Sequence, residues 1–168
     1  MRRRTTSAPR RGLVIGCGGT LGFAWTAATL VAVERELGWD ARTAEVLVGT
    51  SAGSEAVALL GSRRSAQSVV EALAGSHADP VLAHHLAQHP GMVPPRPKLS
   101  WPSTGLVRAG LRGDIDRTAG FAGLLPQGSG DPTWLDEFGQ ALAGGDRWVE
   151  HPATWLVGAD VATGERVA

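Results

Sequence analysis

A serine that attacks a carbonyl must stand clear of the surrounding backbone and must have its proton taken. Ser51, in the stretch VLVGTSAGSEA, meets the first condition through its neighbours: Gly49 and Gly53 lie two positions to either side, and an aliphatic run leads into it. At the tip of a sharp strand-to-helix turn, side chains at those two positions would collide with the adjoining strand and helix. The spacing G-x-S-x-G therefore predicts a nucleophile turn. The chemistry it suits is acyl transfer.

Acyl transfer builds negative charge on the carbonyl oxygen, and a backbone N–H aimed at that point contributes roughly 3 to 4 kcal/mol to the transition state. The loop GCGGTLG at residues 16–22 offers such donors. Glycine lets the main chain come within hydrogen-bonding distance of a ligand, and the N-terminus of a following helix adds its positive dipole end. A dinucleotide site is the competing use of a glycine-rich turn. Here Gly16, Gly18 and Gly22 are spaced G-x-G-x-x-x-G, and Thr50 and Ser51 stand where the acid at the end of the next strand is expected.

The elements that must position these residues follow from periodicity. The run GLVI at residues 12–15 is too short for a helix and predicts a strand buried on both faces. Phe23, Ala27, Leu30, Val31 and Leu37 recur near helical spacing, with Gly38 placed to end the helix. Val46 to Val48 is a second strand. Strand, helix and strand make a βαβ unit, whose crossover favours a parallel sheet and brings the glycine loop and the Ser51 turn to one edge of it. Further helices are predicted over 54–60, closed by Gly61, over 66–74, capped by Ser65 and ended by Gly75, and over 81–89. Prolines at 90, 94, 95, 97 and 102 make a stiff connection, read as either a lid over the site or a plain surface loop.

Asp131 at a cap, Pro132 at the first helical position and Leu135, Phe138 and Leu142 on one face predict a last helix. ATWLVGADVATGERVA then reads as strand, turn around Thr163 and Gly164, and the opening of a second strand. The sequence stops partway through that strand, from which a fragment or truncated product is expected.

With 168 residues and 43% hydrophobic content the chain can bury one core. Its formal net charge of zero gives no reason to expect nucleic acid, although Arg2, Arg3, Arg4, Arg10 and Arg11 precede every acid in the chain. Residues 1–11 are read as a basic, disordered, solvated tail, with attraction to anionic lipid head groups as the functional alternative. No export signal and no apolar run of about 20 residues is evident, so a cytoplasmic location with peripheral membrane contact is expected. The lone Cys17 rules out an internal disulfide framework.

Three stretches together resemble the patatin-like phospholipase family: GLVIGCGGTLGFAWTAATLVAV its oxyanion loop and first helix, VLVGTSAGS its nucleophile turn, and TWLVGADVATGERVA a later strand-turn-strand. The resemblance covers residues 12–168, outside the proline-rich middle. It implies a three-layer α/β/α sandwich with a mainly parallel sheet, incomplete at its C-terminus. It implies Ser51 as nucleophile of a serine-aspartate dyad, the amides of Gly18 and Gly19 as the oxyanion hole with Thr20 a third donor, lipid or acyl-ester substrates, and no metal or organic cofactor. Two departures stand out. Cys17 and Leu21 occupy positions that are glycine and basic in the family loop, and no Asp-Gly-Gly or Asp-Gly-Ala motif is present. The dyad aspartate is therefore expected beyond Ala168, and Asp160 is read as structural. The alternatives are a silent fragment that keeps a lipid-binding or interaction surface, and an esterase whose triad uses His151 with Asp131, Asp136 or Asp146. His77, His84, His85 and His89 are read as exposed helix histidines rather than metal ligands, and Trp101 as a residue able to dip into a lipid interface.

Overall fold

A computed structural model describes residues 10–89, 96–97, 101, 103–126, 128–160 and 162–168. The prolines at 90, 94, 95 and 102, and the tail residues 1–9, lie outside the described residues. Strand β1 (Gly12–Ile15) leads through the glycine loop into helix α1 (Gly19–Leu37), and β2 (Val46–Gly49) leads through Ser51 into α2 (Ala52–Gly61). Next come α3 (Ala66–Leu73), α4 (Pro80–Gln88), α5 (Thr104–Arg112), α6 (Arg117–Ala122) and α7 (Thr133–Ala143). The chain finishes with β3 (Thr154–Leu156), β4 (Gly158–Ala159) and β5 (Arg166–Val167).

The predicted βαβ unit is formed. β1 and β3 flank β2, and both pair with it in parallel, Leu13 opposite Leu47 and Leu47 opposite Thr154. That row faces α2, with Leu47 fully buried and Thr154 nearly so. The next row, Val14, Val48 and Trp155, points to the other face. There Val14 is 76% and Trp155 49% exposed. The expectation that β1 is buried on both faces is thus corrected, because no described element covers that side of it. Among the described residues the architecture is mixed α/β, with the core between the sheet and α1, α2, α3, α4 and α7.

Helix boundaries follow local chemistry. Gly38 and Gly144 end α1 and α7 with left-handed backbone, φ 56° and 62°. Ser65 accepts from the Ser68 amide at 3.1 Å, capping α3, and Asp79 accepts from the Val81 amide at 2.9 Å, capping α4, which starts at Pro80, one residue before the predicted start. Asp131 does accept from the Thr133 amide at 3.0 Å, yet α7 opens at Thr133, with Pro132 outside it. Gly61 proves to be the last residue of α2 rather than its stop. A side chain there would meet Thr154 Oγ1 and Val149 Cγ2, each at 2.8 Å, so packing demands the glycine.

The pair α5 and α6, absent from the expectations above, packs through Gly110 and Gly120, where a Cβ on either would lie under 3 Å from the other's Cα. Both helices are short, nine and six residues, and lie between stretches rich in glycine and proline. The terminal hairpin forms as expected, β4 antiparallel to β5 with Gly164 at φ 76°. Arg10 and Arg11, counted with the basic tail, are tied to the body: Arg10 pairs with Glu45 at 2.6 Å, and Arg11 lies over the Trp39 ring at 5.5 Å.

Candidate active site

Ser51 has φ 56° and ψ −130°, a backbone conformation that costs a non-glycine residue of order 1–3 kcal/mol. The surroundings hold it there. Thr50 donates its amide to Ile15 O at 3.2 Å and its hydroxyl to Val157 O at 2.9 Å, while the Gly53 and Ser54 amides donate back to Thr50 O and Ser51 O at 3.0 and 2.7 Å. A Cβ on Gly49 would lie 2.2 Å from Gly53 O, and one on Gly53 would lie 2.2 Å from Ile15 O. Both glycines are therefore demanded by main-chain contact, as the G-x-S-x-G spacing predicts.

Serine at a helix N-cap ordinarily accepts a bond from the second or third amide of the helix. Ser51 does not. The φ that lifts it out of the strand leaves its hydroxyl uncommitted to the helix and exposed. At the mouth of α1 the arrangement is similar. Its cap residue is Gly18, which has no side chain to offer, so the amides of the first turn keep their donor capacity. Gly19 adopts φ 57°, and a Cβ on Gly18 would lie 2.7 Å from Gly22 Cα.

Ser51, Ala52, Gly19 and Thr20 line one cleft of about 310 Å³ together with Phe23, Glu55, Leu73, His85, Leu86 and His89. Gly18 borders the neighbouring cavity of about 340 Å³ instead, beside Cys17 and Trp25. Two helix N-termini thus converge on the serine. Their dipoles favour negative charge in the cleft.

The histidines divide. His84 is exposed and sits 3.4 Å from Glu137. His85 corrects the expectation of an exposed side chain: it is 2% exposed, its ring 3.7 Å from that of Phe138 and stacked at 13°, and its Nε2 lies 3.0 Å from Glu55 Oε2. Helical periodicity alone could not find it, since its apolar partners come from α7, about fifty residues on. His151 is buried as well, but at the opposite end of the sheet. Its Nε2 lies 2.8 Å from Ala44 O, just before β2 begins, and its Nδ1 lies 3.3 Å from the Ala153 amide. Four residues of β2 at about 3.3 Å rise separate that end from Ser51. A triad through His151 is excluded by this placement.

Two of the candidate aspartates are engaged locally. Asp131 accepts from the Thr133 amide just before α7, and Asp160 accepts from the Thr163 and Ala162 amides at 2.9 and 2.8 Å, bonds that hold its carboxyl below the usual range. That is the structural role expected of Asp160. Among the described residues no three His, Cys, Asp or Glu side chains gather as a metal site would need, and no helix is long and apolar enough to cross a membrane. Comparison with protein-family models, with curated proteins and with solved structures finds no match to this chain.

Proposed function

We propose that the chain carries the nucleophile and oxyanion half of a serine lipid acyl hydrolase of patatin-like type, with a three-layer fold completed beyond the described elements. The observation that carries this reading is Ser51 itself: a serine in strained backbone, at a strand-to-helix turn, with a hydroxyl that does not cap its helix. Strain of this kind persists where the surrounding structure enforces it, and it clusters at reactive sites. In the reaction, Ser51 Oγ attacks the acyl carbonyl and the amides at the mouths of α1 and α2, at Gly19, Thr20 and Ala52 beside Gly18, receive the oxyanion. Collapse expels the alcohol and leaves an acyl-serine, which water hydrolyses. Phe23, Leu73 and Leu86 give the cleft apolar walls suited to an acyl chain. A peripheral contact with lipid head groups through Arg2, Arg3 and Arg4 and a cytoplasmic location belong to the same proposal, and no cofactor is invoked.

The second reading, a silent fragment that binds lipid or a partner without turnover, is favoured by the lack of any Asp-Gly pair among the 168 residues. The two readings part on covalent labelling. A fluorophosphonate probe should modify the wild-type chain and fail with Ser51→Ala. Equal lack of labelling in both proteins would favour the silent fragment.

A further inference from the structure

Glu55 lies four residues beyond Ser51, in the first turn of the helix that the serine opens. Both line the same cleft. Glu55 Oε2 is 3.0 Å from His85 Nε2 across the α2–α4 boundary, and its other oxygen has no partner among the described residues. An arginine would engage both carboxylate oxygens as a fork. A single imidazole N–H engages one and leaves the other unengaged.

His85 is built to hold that one contact. Its ring is stacked on Phe138, lies 5.1 Å from the Trp134 ring at 26°, and meets His89 edge-on at 6.5 Å, so it cannot turn without opening the α4–α7 packing. Its Nδ1 is buried and has no hydrogen-bond partner among the described residues. A buried N–H without an acceptor costs about 1–3 kcal/mol, so the hydrogen belongs on Nε2, where it donates to Glu55. The other groups facing the pair are Thr20 and Phe23 from α1, Leu73 from α3, Leu86 and His89 from α4 and Trp134 and Phe138 from α7. No lysine or arginine is paired with Glu55 among the described residues.

We propose that Glu55 is the proton acceptor for Ser51, with His85 a positioning residue that fixes its carboxylate. This deepens the hydrolase reading above and rests on it. As the Oγ–carbonyl bond forms, the serine proton passes to the free Glu55 oxygen and the carbonyl electrons move onto oxygen. As the C–O bond to the alcohol breaks, the Glu55 carboxylic acid returns that proton to the departing alkoxide. Glu55 then takes a proton from the water that attacks the acyl-serine, and gives it back to Oγ when the acid leaves.

The test is the rate of fluorophosphonate labelling and of p-nitrophenyl ester hydrolysis between pH 5 and 9 in the full chain. Glu55→Gln, which preserves shape, should slow both by roughly 10²–10⁴-fold and flatten the acid side of the pH profile. Glu55→Asp, which keeps a carboxylate one methylene further away, should recover part of the rate and the pH dependence. His85→Phe, which keeps the stack but loses the N–H, should lower kcat with KM little changed and shift the acid side of the profile. Wild-type rates and an unchanged profile in Glu55→Gln would overturn this proposal and leave Ser51 as nucleophile. Failure of the wild-type chain to label would overturn the hydrolase reading and this proposal with it. Should Glu55→Gln not fold, Glu55→Asp decides: an unchanged rate and profile there count against the acceptor role.

Discussion

Gly53, in the first turn of α2, stands so close to Ile15, the last residue of β1, that a side chain at 53 would sit 2.2 Å from the Ile15 carbonyl oxygen. This contact seats the helix that begins at Ser51 against the strand that feeds the glycine loop. Two motifs more than thirty residues apart are joined by main chain touching main chain. Gly53→Ala should therefore cost about 3 kcal/mol or more, since neither backbone can retreat without parting α2 from the sheet. Urea denaturation against the wild type checks it, and Gly49→Ala should behave alike because its Cβ would meet Gly53 O.

Replacing Ser51 separates strain from chemistry. Ser51→Gly relieves the cost of φ 56° and should stabilise the protein by about 1 kcal/mol or more, whereas Ser51→Ala keeps the strain and should leave stability nearly unchanged. Both should abolish fluorophosphonate labelling. Melting temperatures of the two variants side by side provide the measurement, and glycine failing to exceed alanine would show the backbone to be relaxed.

His151 is predicted to matter for folding alone. Its ring ties Ala44, Ala153 and Thr154 at the N-terminal ends of β2 and β3. His151→Ala should lose about 2–3 kcal/mol through the broken buried bonds, while the folded fraction labels at Ser51 as the wild type does. Denaturation and labelling on the same preparation distinguish the two effects.

Asp40 links stability to pH. Its carboxylate accepts from the Arg42 side chain and from the Arg42 amide, and the side-chain bond above all holds it below the usual carboxylate range. A depressed carboxyl stabilises the fold above its unfolded value near ~3.9 and loses that contribution as pH falls through the folded value. The pair is partly exposed and screened by solvent, so Asp40→Asn should be less stable than wild type by only about 0.5 kcal/mol at pH 7, with the difference shrinking as pH falls through the folded value. Urea titrations at pH 7, 4 and 3 give the comparison.

Much of the scaffold was legible from residue types because its causes are local. The period of Phe23, Ala27 and Leu30, the caps at Ser65 and Gly38, and the glycines around Ser51 each answer to sterics or hydrogen bonds within a few positions. The same reasoning read β1 as covered on both faces, because an apolar run states a preference for burial and not whether a partner arrives; Val14 remains exposed. It missed α5 and α6, two short helices whose close contact rests on Gly110 and Gly120.

The serine turn, the glycine loop and the strand-helix-strand order were thus determined by the sequence alone, since each follows from which residues tolerate which backbone. Tertiary structure decided what else enters the cleft. His85 sits on an apolar-flanked helical stretch and His151 beside Pro152, and neither setting says where the ring will lodge. Packing sends His151 to the far end of β2 and drives His85 under Phe138, against Glu55 and into the cleft of Ser51. A side chain's partners across the fold are set by how whole elements stack, and that information is spread over the chain rather than held beside the residue.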